Sequence, residues 1–152
     1  MTESPSPSGR RLGIDVGSVR VGVALSDSGA LIATPLTTLS RDRDGADQRK
    51  IADLVGEHDV VEVVVGLPLH LSGAHGSASQ EATAYSVAVA TLIEPVPVRL
   101  VDERLSSRAA SAILAARGLD GRAQRKVVDQ TAAAIILQSW LDQLSHRRKG
   151  SL

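Results

Sequence analysis

The sequence predicts an α/β fold, in which helices flank a five-stranded mixed sheet. The chain has 152 residues, which is the size of one domain with a real core. Its hydrophobic fraction is 43% but only 1% is aromatic, so aliphatic side chains must fill that core. Strand-like segments come first in the chain and alternate with helix-like segments later. Together these observations favour a layered arrangement of helices on a sheet.

The first half of the chain shows the strand pattern repeatedly. Alternating apolar residues in LGIDVG and VGVALSD predict two strands, and ALIATPLTTL predicts a third. Apolar residues at helical spacing then predict a helix from about Asp44 to Glu57. The near-continuous valine run in VVEVVVGLP predicts a fourth strand that is covered on both faces.

The second half alternates helices with one more strand. The segment SASQEATAYSVAVATLI predicts a helix that ends at the EPVP turn, and VRLVDE predicts the fifth strand. SSRAASAILAARG predicts a helix with Ser106 as its N-cap and Gly118 as its C-terminal stop. The last helix is predicted from about Ala123 to Leu144. Because hairpins precede crossover connections, the sheet should contain both antiparallel and parallel strands.

Composition sets the domain limits and excludes several classes of protein. A disordered Pro- and Ser-rich segment is expected at 1–10 and a basic tail at 145–152, which leaves 11–144 as a single domain. The chain has no cysteine, which excludes disulfides, thiolate zinc sites and cysteine nucleophiles. No segment has the pattern of a signal peptide or a membrane span, so we expect a cytoplasmic protein that does not enter a membrane.

Three acidic residues interrupt or end apolar stretches. Asp15 lies inside the first strand, Glu103 ends the fifth, and Asp129 falls in the last helix. Burying a carboxylate in apolar surroundings is costly unless a charge, a metal ion or hydrogen bonds compensate. Three such placements therefore favour one shared explanation, a metal site.

Each acid also has an ordinary structural alternative. Asp15 is on the strand face opposite its apolar neighbours, where it could simply lead into a tight turn. Asp102 adjoins Glu103, and their side chains should point to opposite faces of the sheet, so either could be the ligand. Asp129 could complement the dipole of its helix. It is in line with an apolar stripe formed by Ala132, Ala133, Ile136 and Trp140.

Three carboxylates without histidine or cysteine are hard oxygen ligands, which suit one or two Mg²⁺ or Mn²⁺ ions. Such ions can activate water and stabilise the leaving oxygen of a phosphodiester. From Arg99 to the end the chain has ten Lys or Arg against five Asp or Glu. Basic residues thus gather around two of the three acids, either as solvated helix faces or as a phosphate-binding surface.

Four sequence blocks carry a family resemblance: GIDVGSVRVGVALSD, VVVGLPLHLSG, VDERLSS and RKVVDQTAAAIILQ. They resemble the signature blocks of the YqgF/RuvX family, Holliday-junction-resolvase-like nucleases of the RNase H-like superfamily. The match runs from Arg11 to Asp142. It implies an RNase H-like fold and processing of the 5′ end of pre-16S rRNA during ribosome biogenesis, with ribosomal precursor particles as partners. Cleavage of branched DNA at Holliday junctions is the other implied activity.

The resemblance also implies roles for individual residues. Asp15, Glu103 and Asp129 would be the catalytic, metal-binding acids. The loop near the site would contain Gly66, Leu67, Pro68 and His70, where His70 replaces an Asn that is frequent in the family. Contacts to nucleic acid would come from Arg104, Ser106, Arg108, Arg125 and Lys126.

Two other classes of function remain open at the level of sequence. The pattern DxGxxxxGxA from Asp15 to Ala24 also resembles the first phosphate motif of the actin and sugar-kinase superfamily, although one domain is short for that paired architecture. The chain could instead be a non-catalytic ribosome-assembly factor that binds RNA through its basic C-terminal third. RNA versus DNA, and monomer versus homodimer, are not decided by any motif.

Overall fold

The structure, a computed structural model, describes residues 8–68, 76–102 and 122–150. The helix predicted over 106–118 and the first seven residues lie outside these ranges. The described elements, in chain order, are β1 (Arg11–Val16), β2 (Arg20–Ser26), β3 (Ala33–Ser40), α1 (Ala46–Glu57), β4 (Glu62–Leu67), α2 (Ser77–Ile93), β5 (Val98–Asp102) and α3 (Arg122–Gly150). Each predicted strand is present, and α2 has the predicted limits.

The strands form one five-stranded sheet in the order β3-β2-β1-β4-β5. β1 pairs antiparallel with β2, and β2 with β3, whereas β1–β4 and β4–β5 are parallel. The predicted mixed sheet is therefore confirmed. Because β1, β4 and β5 run in the same direction, their carboxyl ends lie along one edge, where α/β sheets commonly bind ligands.

Helices cover both faces of the sheet. On one face α1 and α2 pack on strand residues that include Leu12, Ile14, Val21, Val23, Val63 and Val65. On the other face α3 packs through Ala133, Ile136, Leu137 and Leu141 against Ala24, Val64 and Val101. Within the described ranges, no helix is both long enough and apolar enough to cross a membrane.

Two glycines let α3 approach the sheet at backbone distance. A Cβ atom added to Gly13 of β1 would lie 2.7 Å from the Cβ of Leu137 and 2.9 Å from the carbonyl oxygen of Ala133. A Cβ atom added to Gly22 of β2 would collide with the backbone carbonyl of Asp129. Glycine in a strand often marks such an approach of another backbone. These two positions therefore set where α3 lies on the sheet.

Helix α3 is longer than the sequence predicts. The predicted end at Leu144 is wrong, because the helix continues to Gly150 and includes most of the predicted basic tail. The residues SHRRK contain no helix breaker, and basic side chains are favourable near a helix C-terminus. In addition, the guanidinium of Arg147 lies 5.7 Å from the centre of the Trp140 ring, at cation–π distance.

The acid at the start of β4, Glu62, is buried, and both of its carboxylate oxygens accept hydrogen bonds. Its Oε1 accepts hydrogen bonds from Nε of Arg11 at 3.1 Å and from Nε1 of Trp140 at 2.8 Å. Its Oε2 accepts one from Nε of Arg99 at 3.1 Å. Two arginines and an indole thus compensate the burial of this charge and join α3 to three strands.

A second buried acid, Asp47, joins α1 to α2. Its Oδ2 accepts a hydrogen bond from the Tyr85 hydroxyl at 2.7 Å and lies 4.0 Å from Nε of Arg41. Burial, and then the hydrogen bond to Asp47, raise the pKa of Tyr85. The guanidinium of Arg41 also lies 5.3 Å from the centre of the Tyr85 ring. This cluster connects the helices to the β1–β2 turn, because Nη1 of Arg41 donates to the carbonyl of Gly17 at 2.8 Å.

Replacing Gly22 by alanine tests the close approach of α3. Gly22→Ala should lower the free energy of unfolding by about 1–3 kcal/mol, because the new methyl group forces a backbone to move. Gly56→Ala is the matched control, since a Cβ atom there meets nothing within 4 Å. That change lies in α1 and should be neutral or stabilising by up to about 1 kcal/mol. Urea unfolding followed by circular dichroism measures both, and equal effects would contradict the packing described.

Candidate active site

Asp15 lies on the face of the sheet that α3 covers. Across the β1–β2 ladder it is paired with Gly22, and directly paired residues project to the same face. That face is toward α3, because a Cβ atom on Gly22 would meet the helix backbone. Asp15 is half-buried, whereas Leu12 and Ile14 are fully buried on the other face. This agrees with the face predicted for Asp15.

Asp129 lies on α3 where the helix meets Gly22. Its side chain is 23% exposed, so it is not buried as an acid in a closed core would be. The helix begins at Arg122, which puts Asp129 two turns into it. The helix-dipole alternative does not apply, because that effect fades beyond the first turn. Of the predicted stripe, Ala133 and Ile136 are buried, while Ala132 and Trp140 are half-buried.

Both strands that neighbour β1 carry a glycine near Asp15. Gly22 is its partner on β2, and Gly66 directly follows Val65, the β4 residue that is paired with Ile14. Neither neighbouring strand therefore fills the space beside this carboxylate with a side chain. The arrangement places two half-buried acids, Asp15 and Asp129, near the edge where the parallel strands end.

Arg20 is a site residue that the sequence analysis missed. Its Nε donates to Oδ2 of Asp129 at 2.8 Å, and its side chain is 29% exposed. Arg20 opens β2 two residues before Gly22, so the period of a strand puts both on the face toward α3. This two-residue spacing is visible in the sequence. It indicates a site residue only once α3 is known to pack against Gly22.

The turn between Asp15 and Arg20 is fixed by backbone hydrogen bonds. The amide of Gly17 donates to the carbonyl of Arg20 at 2.9 Å, and the amide of Arg41 donates to the carbonyl of Val19 at 2.8 Å. Together with the bond from the Arg41 guanidinium to Gly17, these contacts hold the backbone that carries both side chains.

Strand β5 separates the two candidates for the remaining acid. Val101 packs in the cluster with α3, whereas Val98 packs in the cluster with α1 and α2. By alternation, Asp102 therefore belongs to the face away from α3, and it is exposed. Glu103, the predicted ligand, lies outside the described residues.

The other predicted site residues are described only in part. Gly66 is buried and Leu67 and Pro68 are half-buried at the carboxyl end of β4, along the same edge as Asp15. Arg125 and Lys126 belong to the start of α3, but the structure does not describe their side chains. Outside the described residues lie Arg104, Ser106, Arg108 and His70.

The donors present suit a hard divalent cation as part of a larger set. Among the described residues, no group of three His, Asp or Glu side chains could by itself hold a metal ion. Asp15 and Asp129 nevertheless offer carboxylate oxygens on residues that are only half-buried. Mg²⁺ binds proteins through few carboxylates and keeps several waters, so the chemistry of these two donors fits that ion.

A protein-family model described as RuvX, Holliday junction resolvase, matches residues 9–143. The chain belongs to the RuvX family. A relative from Mycobacterium leprae (strain TN) is 53% identical over 135 residues, which are 89% of this chain and 73% of the relative. One from Rhodococcus jostii (strain RHA1) is 48% identical over 141 residues, or 90% of this chain and 79% of the relative. Both are named "Putative pre-16S rRNA nuclease".

Solved structures share the fold of this RuvX-family chain. Thermus thermophilus RuvC in complex with a Holliday junction substrate matches with a TM-score of 0.56 at 16% identity, covering 91% of this chain and 96% of RuvC. The fowlpox virus resolvase bound to Holliday junction DNA matches with a TM-score of 0.55 at 10% identity, covering 89% and 98%. At these identities the likeness concerns the fold, and it confirms the predicted RNase H-like architecture.

The ion pair between Arg20 and Asp129 should contribute little to stability. Asp129→Asn is expected to change the free energy of unfolding by at most about 1 kcal/mol, because ion pairs with this exposure are screened by solvent. Asp47→Asn is the matched control: it alters a buried acid, and impairing its hydrogen bonds should cost about 1–3 kcal/mol. Urea unfolding of the two variants measures the difference. A larger loss for Asp129→Asn would mean that Asp129 is there to hold the fold.

Proposed function

We propose that this protein is a divalent-metal-dependent endonuclease that hydrolyses phosphodiester bonds of nucleic acid. The proposed task is processing of the 5′ end of pre-16S rRNA in the cytoplasm. The observation that carries the proposal is the placement of Asp15 and Asp129 on one half-exposed face, beside glycines, at the carboxyl edge of the parallel strands. Membership of the RuvX family agrees with it.

Asp15, Asp129 and Glu103 are the proposed metal ligands. The choice of Glu103 over Asp102 is supported by the alternation of β5, because Glu103 is the next residue in sequence with the parity of Arg99 and Val101, which lie on the α3 face. One or two bound Mg²⁺ or Mn²⁺ ions would activate water and stabilise the leaving oxygen. The carboxylates would hold the ions in place.

Space and positive charge around the acids suit a phosphodiester. Asp15 and Asp129 are both only half-buried, so a sugar-phosphate backbone could approach them from solvent. Loop residues Leu67, Pro68 and His70 would border this entrance. Arg104, Ser106, Arg108, Arg125 and Lys126 are the proposed contacts to phosphates, whose neutralisation would make binding weaken as salt rises.

The choice of RNA is supported by the names of relatives about half identical to this chain. Branched DNA is the second candidate, because the family model that matches this chain is described as a Holliday junction resolvase. A non-catalytic ribosome-assembly factor is the third. It predicts that acid-to-amide variants keep full function in cells.

Cleavage assays on two substrates test the proposal. The purified protein with Mg²⁺ or Mn²⁺ should cut a precursor of 16S rRNA near the mature 5′ end in preference to a four-way DNA junction. Asp15→Asn should lower the cleavage rate by at least about 100-fold, because metal binding and charge stabilisation supply several kcal/mol of catalysis. Gel analysis of end-labelled substrates gives the rates and the cut positions.

The controls separate the three functions. Asp102→Asn, beside the proposed ligand but on the other strand face, should retain most of the activity. Preferential cutting of the junction would favour the resolvase. If neither substrate is cut with either metal ion, while Asp15→Asn supports normal 16S rRNA maturation in cells, the nuclease proposal is wrong and the assembly factor is favoured.

A further inference from the structure

Arg20 is a cation inside the candidate site that no step of the proposed function uses. Its side chain lies on the face toward α3, and Nε donates to Oδ2 of Asp129 at 2.8 Å. The backbone beneath it is fixed, because its carbonyl accepts the amide of Gly17 and Arg41 bonds the same turn. The guanidinium of Arg20 is thus carried by a hydrogen-bonded turn, at the edge where a nucleic acid would enter.

The exposure of this ion pair argues against a purely structural role. Arg20 and Asp129 are 29% and 23% exposed, and pairs of this kind add little to stability. The buried acids show the contrast: the side chains of Asp47 and Glu62 are each only 1% exposed where they meet arginine. A contact that contributes so little to folding can be exchanged for another anion without disturbing the fold.

The chemistry of the guanidinium indicates which anion that would be. Within the described part of the chain, the contact to Asp129 uses Nε, and no hydrogen bond from the terminal nitrogens of Arg20 is found. An arginine stays charged at all physiological pH values, and its fork of donors matches a phosphate. A phosphodiester is therefore the ligand class that suits Arg20.

We propose that Arg20 is a phosphate-binding residue which Asp129 holds in place, so that Arg20 and a divalent cation compete for one carboxylate. The proposal rests on the assignment of Asp129 as a metal ligand in the proposed function. With a cation at Asp129, repulsion would weaken the hydrogen bond between Asp129 and Arg20, and the Arg20 guanidinium would then donate to a backbone phosphate. Metal binding and substrate binding would thereby support each other through this residue.

Two binding titrations on the full chain test the proposal without relying on cleavage. Mn²⁺ binding alone is measured by electron paramagnetic resonance. Arg20→Gln should tighten it about two- to fivefold, the fold-change that corresponds to an exposed ion pair. Binding of a fluorescent four-way DNA junction and of an RNA hairpin is measured by anisotropy, first with Ca²⁺ as the divalent cation and then in EDTA. With Ca²⁺, Arg20→Gln should weaken binding and reduce the slope against the logarithm of salt concentration by about one, whereas Arg20→Lys should keep most of that slope. In EDTA, where Asp129 still holds Arg20, the effect of Arg20→Gln should be smaller.

The matched control is Arg49→Gln, which removes the same charge from α1 on the opposite face of the sheet, where Nη1 of Arg49 contacts the carbonyl of Asp44. It should change neither titration. If Arg20→Gln behaves as Arg49→Gln does while Asp129→Asn loses Mn²⁺ affinity, the role of Arg20 is wrong and the metal site stands. If Asp129→Asn binds Mn²⁺ like the unchanged protein, the ligand assignment fails, and the competition with it.

Discussion

The close approach of helix α3 to strands β1 and β2 is the constraint on which the rest of the site depends. Gly13 and Gly22 lack the side chains that would hold the helix away from the sheet, and Leu137 and the backbone of Asp129 occupy the space. Because Gly22 is also the ladder partner of Asp15, the same contact brings Asp129 to the face that carries Asp15. Packing between backbones therefore positions two acids that are more than a hundred residues apart in sequence.

The acids of this protein divide into two groups according to their surroundings. Asp47 and Glu62 are buried, and each is compensated by arginine together with a tyrosine or a tryptophan. Asp15 and Asp129 are only half-buried, which suits carboxylates that are to share a hydrated metal ion. The first group stabilises the layers of the fold, and the second is the pair that we propose as metal ligands. An acid in an apolar stretch of sequence can thus belong to either group.

Local patterns were sufficient to predict the strands, the sheet type and the face of Asp15. They could not reveal contacts between distant segments. Glu62 also interrupts an apolar run, but its partners come from β1, β5 and α3, so the sequence did not distinguish it from a solvated residue. Arg20 was missed for the same reason, since its contact with Asp129 depends on how α3 crosses β2. The extension of α3 beyond Leu144 was missed because a basic, polar segment was interpreted as a tail.

The central claim is that Asp15 and Asp129 share a divalent cation on the α3 face of the sheet. The most direct test is a crystal structure grown with Mn²⁺, in which anomalous scattering locates the ion. The account predicts an anomalous peak within about 2.5 Å of a carboxylate oxygen of each residue, at the edge beside Gly22 and Gly66. Anomalous peaks found only elsewhere, or bound by one of these acids without the other, would contradict it.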